Sequence, residues 1–343
     1  MTPTLQDLAS ELGVHKATVS RALSGKPGVS DMVRKRILRA AYDHGFYPNG
    51  TARSLATATT ETIALVFCDE TSDFLTNPFY SKVLAGIAAE TSRNGFSLAF
   101  CSFSLPMPGR RQNLPKIMRE RRADGFLFVG DQDDSLIKYA RNLGYPLVLI
   151  DHTFRKAKFD AVAINNVEGG RKAVDYLLGL GHRRIGFIGG SLQSPSFKER
   201  LDGYRKALAA AGIPIDDSLI QVGDSHGGYE HMLKLLAMRD PASAVFACND
   251  VNAVKAIKAV QEMGFNVPED VSIVGFDDSR RASETWPTLT TMRVDAITMG
   301  RVGVEKLVAR IHGEENMPEQ VLVGTELVIR RSTAPAPAKS KAV

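Results

Sequence analysis

Residues 4–23 read TLQDLASELGVHKATVSRAL, and this stretch sets the architecture of the N-terminal part of the chain. Its apolar residues recur three or four positions apart on each side of Gly13, as they do in two short helices that each bury one face. Thr4, with Asp7 three positions later, is the pattern of a capped helix start. The stretch therefore predicts two short helices joined by a tight turn.

A third helix is predicted next, because Ser30 can cap its start and Gly45 can end it. Three such helices fit a helix-turn-helix, in which early residues of the second helix reach base edges in the major groove of DNA. That second helix is predicted over residues 16–23. A solvated helical hairpin would give the same pattern, so the pattern alone leaves both interpretations open.

Charge is distributed unevenly along the chain. The whole chain has a formal net charge of +5, and residues 1–60 hold eight Lys and Arg against four Asp and Glu, a net charge of +4. The remaining residues therefore supply only +1. A small basic head on a nearly neutral body indicates that the head binds a polyanion such as nucleic acid.

From residue 63 onwards, short apolar runs alternate with amphipathic segments. Alternating strands and helices indicate parallel sheets covered on both faces, and nine strands before residue 290 suit two sheets better than one. The predicted strands are residues 63–67, 97–101, 125–129, 147–151, 161–164, 184–188, 219–222, 244–247 and 272–276. The longer predicted helices are residues 79–94, 168–180, 197–211 and 251–263.

Composition argues against several classes of protein. No apolar run reaches the roughly 18 residues that a membrane span needs, so we expect no membrane partner. The first residues are charged and lack the apolar core of a secretory signal, which favours the cytoplasm. Cys68, Cys101 and Cys248 lack metal-ligand spacing, and no phosphate-binding loop lysine or nucleophile–base pair is evident. We therefore expect no metal, no cofactor and no catalysis.

An ordered series of motifs in this chain resembles the LacI/GalR family of transcription regulators. In the head these are TLQDLA at 4–9, GV at 13–14, ATVSRAL at 17–23, GVS at 28–30, GFYPN at 45–49 and ARSL at 52–55. The body continues with NPFY at 77–80, DGF at 124–126, LGHRRIGFIGG at 180–190, ERLDGY at 199–204, ND at 249–250, PEDVSIVGFDD at 268–278 and LTT at 289–291. The similarity covers roughly residues 4–331.

The resemblance implies an α/β chain with a three-helix helix-turn-helix head and a two-lobed body with parallel sheets, like that of periplasmic sugar-binding proteins. We expect the head over residues 1–48, a hinge over 49–61, an effector-binding and dimerisation domain over 62–332, and a disordered tail over 333–343. Lobe one would comprise residues 62–162 and 293–323, and lobe two residues 163–292 and 324–332.

The resemblance also assigns residues to DNA. Lys16 and Ala17 would face the major groove, and Arg21 would reach a base. The expected phosphate contacts are Thr18, Ser20, Ser24, Ser30 and Asn49. A hinge helix formed on DNA would bring in Ala52, Arg53 and Leu55, with Leu55 wedged into the minor groove. His15 departs from the family, which has serine or threonine at that position as a helix cap, and a plain flexible tether remains the alternative to the hinge helix.

Seven residues are expected to bind a small-molecule effector, a sugar or a sugar derivative. Sugars require hydroxyl partners and an aromatic face, and ligands of open α/β sheets bind at the carboxyl ends of strands. The candidates are Phe79, Tyr80, Asp151, Arg200, Asn249 and Asp277, and the resemblance to the LacI/GalR family adds Ser196, which it places with Arg200 on the loop and helix start that face the cleft. The alternatives are that the acids cap helices, that the aromatic rings are core, and that Arg200 forms a structural ion pair. The family often has an aromatic residue near Ser225 and His226, and none is present here.

The function predicted from these observations is that of a repressor. It would bind a palindromic, double-stranded operator as a homodimer, and the effector in the interlobe cleft would control its affinity for DNA. No leucine heptad follows Arg331, so a dimer is expected rather than a tetramer built by the tail. The alternatives are a solute-binding protein or an α/β enzyme without a DNA function. The basic head argues against the first, and the missing phosphate-loop lysine and nucleophile–base pair argue against the second.

Overall fold

The computed structural model describes residues 4–46, 59–68, 75–103, 115–130, 134–152, 159–223 and 226–337. The chain folds as two compact units, Met1–Glu61 and Thr62–Val343. We call the first unit the head and the second unit the body. Among the described residues, no helix combines the length and the apolar composition needed to cross a membrane.

The head consists of helices α1 (Leu5–Leu12), α2 (Lys16–Leu23) and α3 (Asp31–Asp43). The Thr4 hydroxyl accepts the amide hydrogen of Asp7 while the Asp7 carboxylate accepts that of Thr4, so the predicted reciprocal cap is present. Gly13 then ends α1 in the left-handed region, at φ 64°. The inner faces of the three helices form a small core of Leu8, Ala9, Val19, Ala22, Ile37, Ala40 and Ala41.

The body contains two six-stranded sheets. The first has the strand order β11-β5-β4-β3-β1-β2, with β1 Thr62–Cys68, β2 Ser97–Phe103, β3 Gly125–Val129, β4 Leu147–Ile150, β5 Asp160–Ile164 and β11 Gln320–Val323. The second has the order β12-β10-β9-β8-β6-β7, with β6 Ile185–Ile188, β7 Ile220–Gln221, β8 Ala244–Ala247, β9 Ser272–Asp277, β10 Thr290–Val294 and β12 Thr325–Val328. Only β12 runs antiparallel to its neighbour among the pairs of these strands.

Helices cover the sheets, and each sheet with its helices is here called a lobe. The first lobe carries α4 Pro78–Arg93, α5 Lys116–Arg119, α6 Asp134–Asn142 and α12 Ala296–Ile311. The second carries α7 Asn166–Gly179, α8 Pro195–Ala210, α9 Gly228–Leu236, α10 Asp250–Glu262 and α11 Arg280–Glu284, with a 3-10 turn at Asp217–Leu219. The two lobes are joined by the chain between β5 and β6, by that between β10 and β11, and by Gly324 between β11 and β12.

Strand β1 shows why these apolar runs form central strands. Ile63 and Leu65 enter the core on one face of the sheet, whereas Ala64 and Val66 enter the core on the other. A strand buried on both faces is a continuous apolar run rather than an alternating one. The nine predicted strands are all present, with ends shifted by no more than two residues. Strands β10, β11 and β12 were not predicted, and the outer pair, β11 and β12, is largely half-exposed or exposed.

The prediction of a disordered tail is wrong for residues 333–337. The Ala334 amide donates to the Ser272 hydroxyl at 3.0 Å, and the Ala336 amide donates to the carbonyl of Leu180 at 2.8 Å. The ring of the buried His182 lies 3.1 Å from the Ala334 carbonyl through Nε2. These backbone partners fix a segment whose composition alone looked unstructured, while residues 338–343 lie outside the described part.

Candidate functional site

Helix α2 presents a continuous polar face. Val19 and Ala22 are buried in the head, and the opposite face exposes Lys16, Ala17, Ser20, Arg21 and Ser24. Thr18 is half-buried beside this face, and Ser30 is exposed at the start of α3. No carboxylate among the described residues forms an ion pair with Lys16 or Arg21. The face therefore offers two cations and several hydroxyls to a ligand.

The residues at the starts of α2 and α3, His15 and Ser30, differ in how they cap their helices. His15 does cap α2, because its Nδ1 accepts the amide hydrogen of Ala17 at 3.3 Å. This ring stands where the resemblance implies a hydroxyl cap, and it leaves Nε2 for another partner. Ser30 is the N-cap residue of α3 but makes no side-chain cap bond, so its hydroxyl is not used by the helix. Asn49, Ala52, Arg53 and Leu55 lie outside the described residues.

The body contains a cavity of ≈ 390 Å³ at the carboxyl ends of strands from both sheets. All seven residues predicted to bind the effector line it: Phe79, Tyr80, Asp151, Ser196, Arg200, Asn249 and Asp277. Asp151 follows β4, Asn249 follows β8 and Asp277 ends β9, while helices α4, α8 and α10 all begin at the cavity. Parallel strands and the helices that follow them converge at this edge of each sheet.

The first lobe contributes a tyrosine–carboxylate pair. The Tyr80 hydroxyl donates to Asp151 Oδ2 at 2.9 Å, and the Ser196 hydroxyl, from the second lobe, donates to Asp151 Oδ1 at 3.3 Å. Asp151 adopts φ 56°, which turns the chain sharply after β4. Phe79 contacts the edge of the Tyr80 ring and belongs to the core, so it reaches the cavity only as part of its wall.

Arg200 is the centre of the second-lobe wall and is only 4% exposed. It donates through Nε to Asn166 Oδ1 at 2.9 Å, and through Nη1 to the Cys248 carbonyl at 2.6 Å and to Asp277 Oδ1 at 3.4 Å. Its guanidinium also lies 3.7 Å from the centre of the Phe276 ring. The arginine therefore lines the cavity and holds the second lobe together at the same time.

Burial raises the pKa of Asp277 to about 8, although the nearby Arg200 guanidinium acts in the opposite direction. Burial also raises the pKa of Asp250 to about 6, while bonds from the Thr291 hydroxyl and the Ser279 amide oppose that rise. The backbone of Asp277 adopts φ 106°, a conformation rarely seen outside glycine. Of these opposing effects on the pKa of Asp277, burial is the larger, so the pKa lies well above that of an exposed aspartate.

Asn249 serves the fold as well as the cavity. Its Oδ1 accepts the amide hydrogen of Asn252 at 2.9 Å and caps α10. This cap leaves the side-chain amide nitrogen as the donor for a ligand. The carboxylate of Asp250, next in the chain, accepts the Ser279 amide hydrogen and the Thr291 hydroxyl hydrogen across the second lobe.

Nine further residues line the cavity without having been predicted: Thr76, Asn77, Pro78, Ser194, Phe197, His226, Val251, Lys255 and Arg281. Asn77 caps α4 by accepting the amide hydrogen of Phe79 at 2.9 Å, and the NPFY motif already pointed to this position. Phe197 supplies an aromatic side chain in a site that lacks one near His226. Lys255 and Arg281 carry no motif, because helical spacing alone does not show which face meets a cavity.

Two family descriptions match this chain. "Bacterial regulatory proteins, lacI family" matches residues 4–49, and "Periplasmic binding protein-like domain" matches residues 174–333. The transcriptional regulator CelR of Thermobifida fusca is 34% identical over 96% of this chain and 98% of its own length. The transcriptional regulator DegA of Bacillus subtilis is 32% identical over 98% and 99%, and the ribose operon repressor of Haemophilus influenzae is 30% identical over 96% and 98%.

Solved structures share the fold along nearly the whole chain. A CelR–cellobiose complex is 32% identical, with a TM-score of 0.71, and the match covers 96% of this chain and 99% of that one. The lac repressor dimer bound to operator and an anti-inducer has a TM-score of 0.83 over 97% and 100% of the two chains. Its identity to this chain is 24%, so that likeness shows the fold alone.

Proposed function

Because this chain belongs to the LacI family of bacterial regulatory proteins, we propose that it represses transcription by binding a palindromic operator as a homodimer. A sugar-like effector in the body cavity controls its affinity for DNA. Repression of this kind acts on the chromosome, and so we place the protein in the cytoplasm. The observation that carries the proposal is the pairing of an exposed, cationic face on α2 with a polar cavity built from both lobes.

In the head, α2 enters the major groove. Arg21 donates two parallel hydrogen bonds to a guanine, and Lys16 and Ala17 contact neighbouring base edges. Thr18, Ser20, Ser24 and Ser30 bind phosphates and fix the register of the helix on the duplex. Two heads related by a twofold axis bind two half-sites, which is why a dimer matches a palindrome.

Between head and body, residues 49–61 form the hinge. Asn49 binds a phosphate, and a helix that includes Ala52, Arg53 and Leu55 forms on the minor groove. A helix this short is unstable alone, because the first turn fixes several residues for one hydrogen bond. Its formation therefore depends on DNA and on the distance between two hinges of a dimer, which a rearrangement of the lobes can change.

In the body, the effector binds between the lobes. Asp151 and Tyr80 from the first lobe and Asn249, Ser196 and Asp277 from the second offer acceptors and donors for hydroxyl groups. The Lys82 ammonium of α4 donates to the Asp278 carbonyl at 2.6 Å, which is a second polar link between the lobes. A ligand that touches both lobes favours one lobe arrangement over another by its difference in affinity for the two.

The proposal is tested with the full chain on DNA. Palindromic duplexes are selected from a random pool, and the dissociation constant of the best duplex is measured with and without each member of a sugar panel. We expect sequence-selective binding that at least one sugar shifts by about 5- to 150-fold, the usual range of allosteric coupling. Equal affinity for selected and scrambled duplexes would refute the DNA function, and an unchanged dissociation constant with every sugar would refute the sensing function.

A further inference from the structure

We propose that the effector is a sugar that carries one anionic group, a carboxylate or a phosphate, and that Lys255 and Arg281 bind this group. The inference rests on the proposed function, because it names the chemical class of the ligand of that same cavity. It rests on two cations in the cavity wall that the neighbouring acids of the chain do not neutralise.

The two cations lie on one side of the cavity, in the second lobe. Lys255 lies on α10, a little more than one turn after its start, and Arg281 lies on the short α11, which packs against α10. The Lys255 ammonium donates to the carbonyl of His226 at 2.9 Å. His226 precedes α9 and also lines the cavity, so this hydrogen bond ties two parts of the same wall together.

Neither cation has a carboxylate partner among the described residues. The neighbouring cations on the same helices do: Lys258 pairs with Glu262 at 3.6 Å, and Arg280 pairs with Glu284 at 2.5 Å. Neither Lys258 nor Arg280 lines the cavity. On these two helices, the cations that line the cavity are therefore the ones without a carboxylate partner among the described residues, and a bound anion would supply the missing charge.

The acids of the cavity do not balance this charge. Asp151 already accepts hydrogen bonds from Tyr80 and Ser196, and Asp277 lies beside Arg200. Burial raises the pKa of Asp277 to about 8, so near neutral pH this group contributes less than a full negative charge. With Arg200 included, the charged side chains of the wall (Arg200, Lys255 and Arg281 against Asp151 and Asp277) carry more positive than negative charge, which favours an anion in the cavity.

The start of helix α8 adds to the same preference. Ser194 is its N-cap residue and makes no side-chain cap bond, and both Ser194 and Ser196 line the cavity. The first amide groups of a helix carry a partial positive charge that favours anions. Asp151 and Asn249 are assigned to the sugar ring in the proposed function, so the ring and the anionic group use different parts of one cavity.

The test uses the full chain and matched sets of sugars at constant ionic strength. Each set contains a neutral hexose, the corresponding hexuronate and the hexose 6-phosphate, for glucose, galactose and mannose. The thermal unfolding midpoint identifies stabilising compounds, and titration calorimetry gives their dissociation constants. The wild type is compared with Lys255→Gln/Arg281→Gln and with the control Lys258→Gln/Arg280→Gln, which removes the same charge from the same helices outside the cavity.

We expect an acidic or phosphorylated sugar to stabilise the wild type and the control more than its neutral counterpart does. The cavity variant should bind that compound about tenfold more weakly for each cation removed, or ~1.4 kcal/mol each. Comparison of the hexuronate with the hexose 6-phosphate shows whether the anionic group of the effector is a carboxylate or a phosphate. A neutral sugar that binds as tightly as its charged counterparts would overturn the inference and leave the proposed function intact.

Two other outcomes also overturn it. A cavity variant that keeps its response to the charged sugar but dissociates into monomers would mean that Lys255 and Arg281 pair with acids of the second subunit. A wild type that responds to no compound in any set would remove both the anion site and the support for sugar sensing. Operator binding, measured separately, would then show whether the DNA function stands without it.

Discussion

The Ser196 hydroxyl, in the second lobe, donates to Asp151 Oδ1, in the first, at 3.3 Å. The same carboxylate accepts the Tyr80 hydroxyl at 2.9 Å. A link between lobes made by a carboxylate in the cavity can be taken over by a ligand hydroxyl, which would couple binding to the arrangement of the lobes. This coupling is the physical basis of the first prediction.

Ser196→Ala should weaken effector binding with little effect on folding. The hydrogen bond is half-buried, and one such bond contributes about 0.5–1.5 kcal/mol, so the dissociation constant should rise severalfold. Calorimetry with the effector measures this directly. Ser81→Ala, which removes an exposed hydroxyl that donates to the Pro78 carbonyl, is the matched control. Equal affinities for both variants would show that Ser196 takes no part in binding.

Arg200→Ala should destabilise the body strongly. Removing the guanidinium leaves the oxygens of Asn166, Cys248 and Asp277 without their donor in a buried place. Breaking a buried pair in this way typically costs about 3–5 kcal/mol. Urea unfolding of the full chain measures the change, and Arg205→Ala, an exposed arginine on the same helix, is the control. If Arg200→Ala lowers the free energy of unfolding no more than Arg205→Ala does, water replaces the hydrogen bonds of the guanidinium.

The stability of the body should fall as pH rises from about 6.5 to 8. In the folded state Asp277 keeps its proton to about pH 8, whereas in the unfolded chain it loses it near its ordinary pKa of 3.8. The folded state therefore binds more protons across this interval, and the free energy of unfolding decreases with pH. Asp250 contributes mainly below pH 6, where its own raised pKa lies.

Asp277→Asn should abolish this slope, since the amide does not titrate. Urea unfolding at several pH values, with wild type and variant side by side, gives both slopes. If the free energy of unfolding of the wild type changes between pH 6.5 and 8 as little as that of Asp277→Asn, Arg200 keeps Asp277 ionised in the folded state.

Gly86→Ala should destabilise the first lobe. A Cβ at this position would lie 2.1 Å from the Ile297 carbonyl oxygen, because α4 and α12 cross there in close contact. Overpacking of a core typically costs about 1–3 kcal/mol, and backbone atoms cannot yield as side chains do. Gly179→Ala is the control, since nothing lies within 4 Å of that position. The thermal unfolding midpoint of Gly86→Ala should be lower than that of Gly179→Ala. Equal midpoints would mean that α4 and α12 move apart without cost.

Much of the fold could be predicted because its signals are local. The start of α1 depends on Thr4 and Asp7, and the central strands depend on apolar runs of a few residues. Strands β11 and β12 gave no such signal, since they pair at sheet edges where only tertiary contacts decide the structure. The ordered residues 333–337 depend on His182 and Ser272, which lie far away in the sequence.

The candidate site divides in the same way. Asp151, Asn249 and Asp277 could be predicted because they follow strands, and the ends of parallel strands meet at one edge. Lys255 and Arg281 could not, because their place in the wall depends on how α10 and α11 pack. Arg200 both lines the cavity and holds the second lobe together. The second role could not be predicted from the sequence, because its partners Asn166 and Cys248 are brought together only by folding.

The central claim is that α2 reads operator DNA, and the most direct test is the affinity of Arg21→Ala for the selected operator. Arg39→Ala is the control, because Arg39 is an exposed arginine of the head that pairs with Asp43 on α3. Loss of a bidentate base contact costs about 1–3 kcal/mol, so we predict roughly 5- to 150-fold weaker binding and relaxed preference at one base pair. An Arg21→Ala variant that binds the operator as tightly as Arg39→Ala, with unchanged sequence preference, would contradict the account.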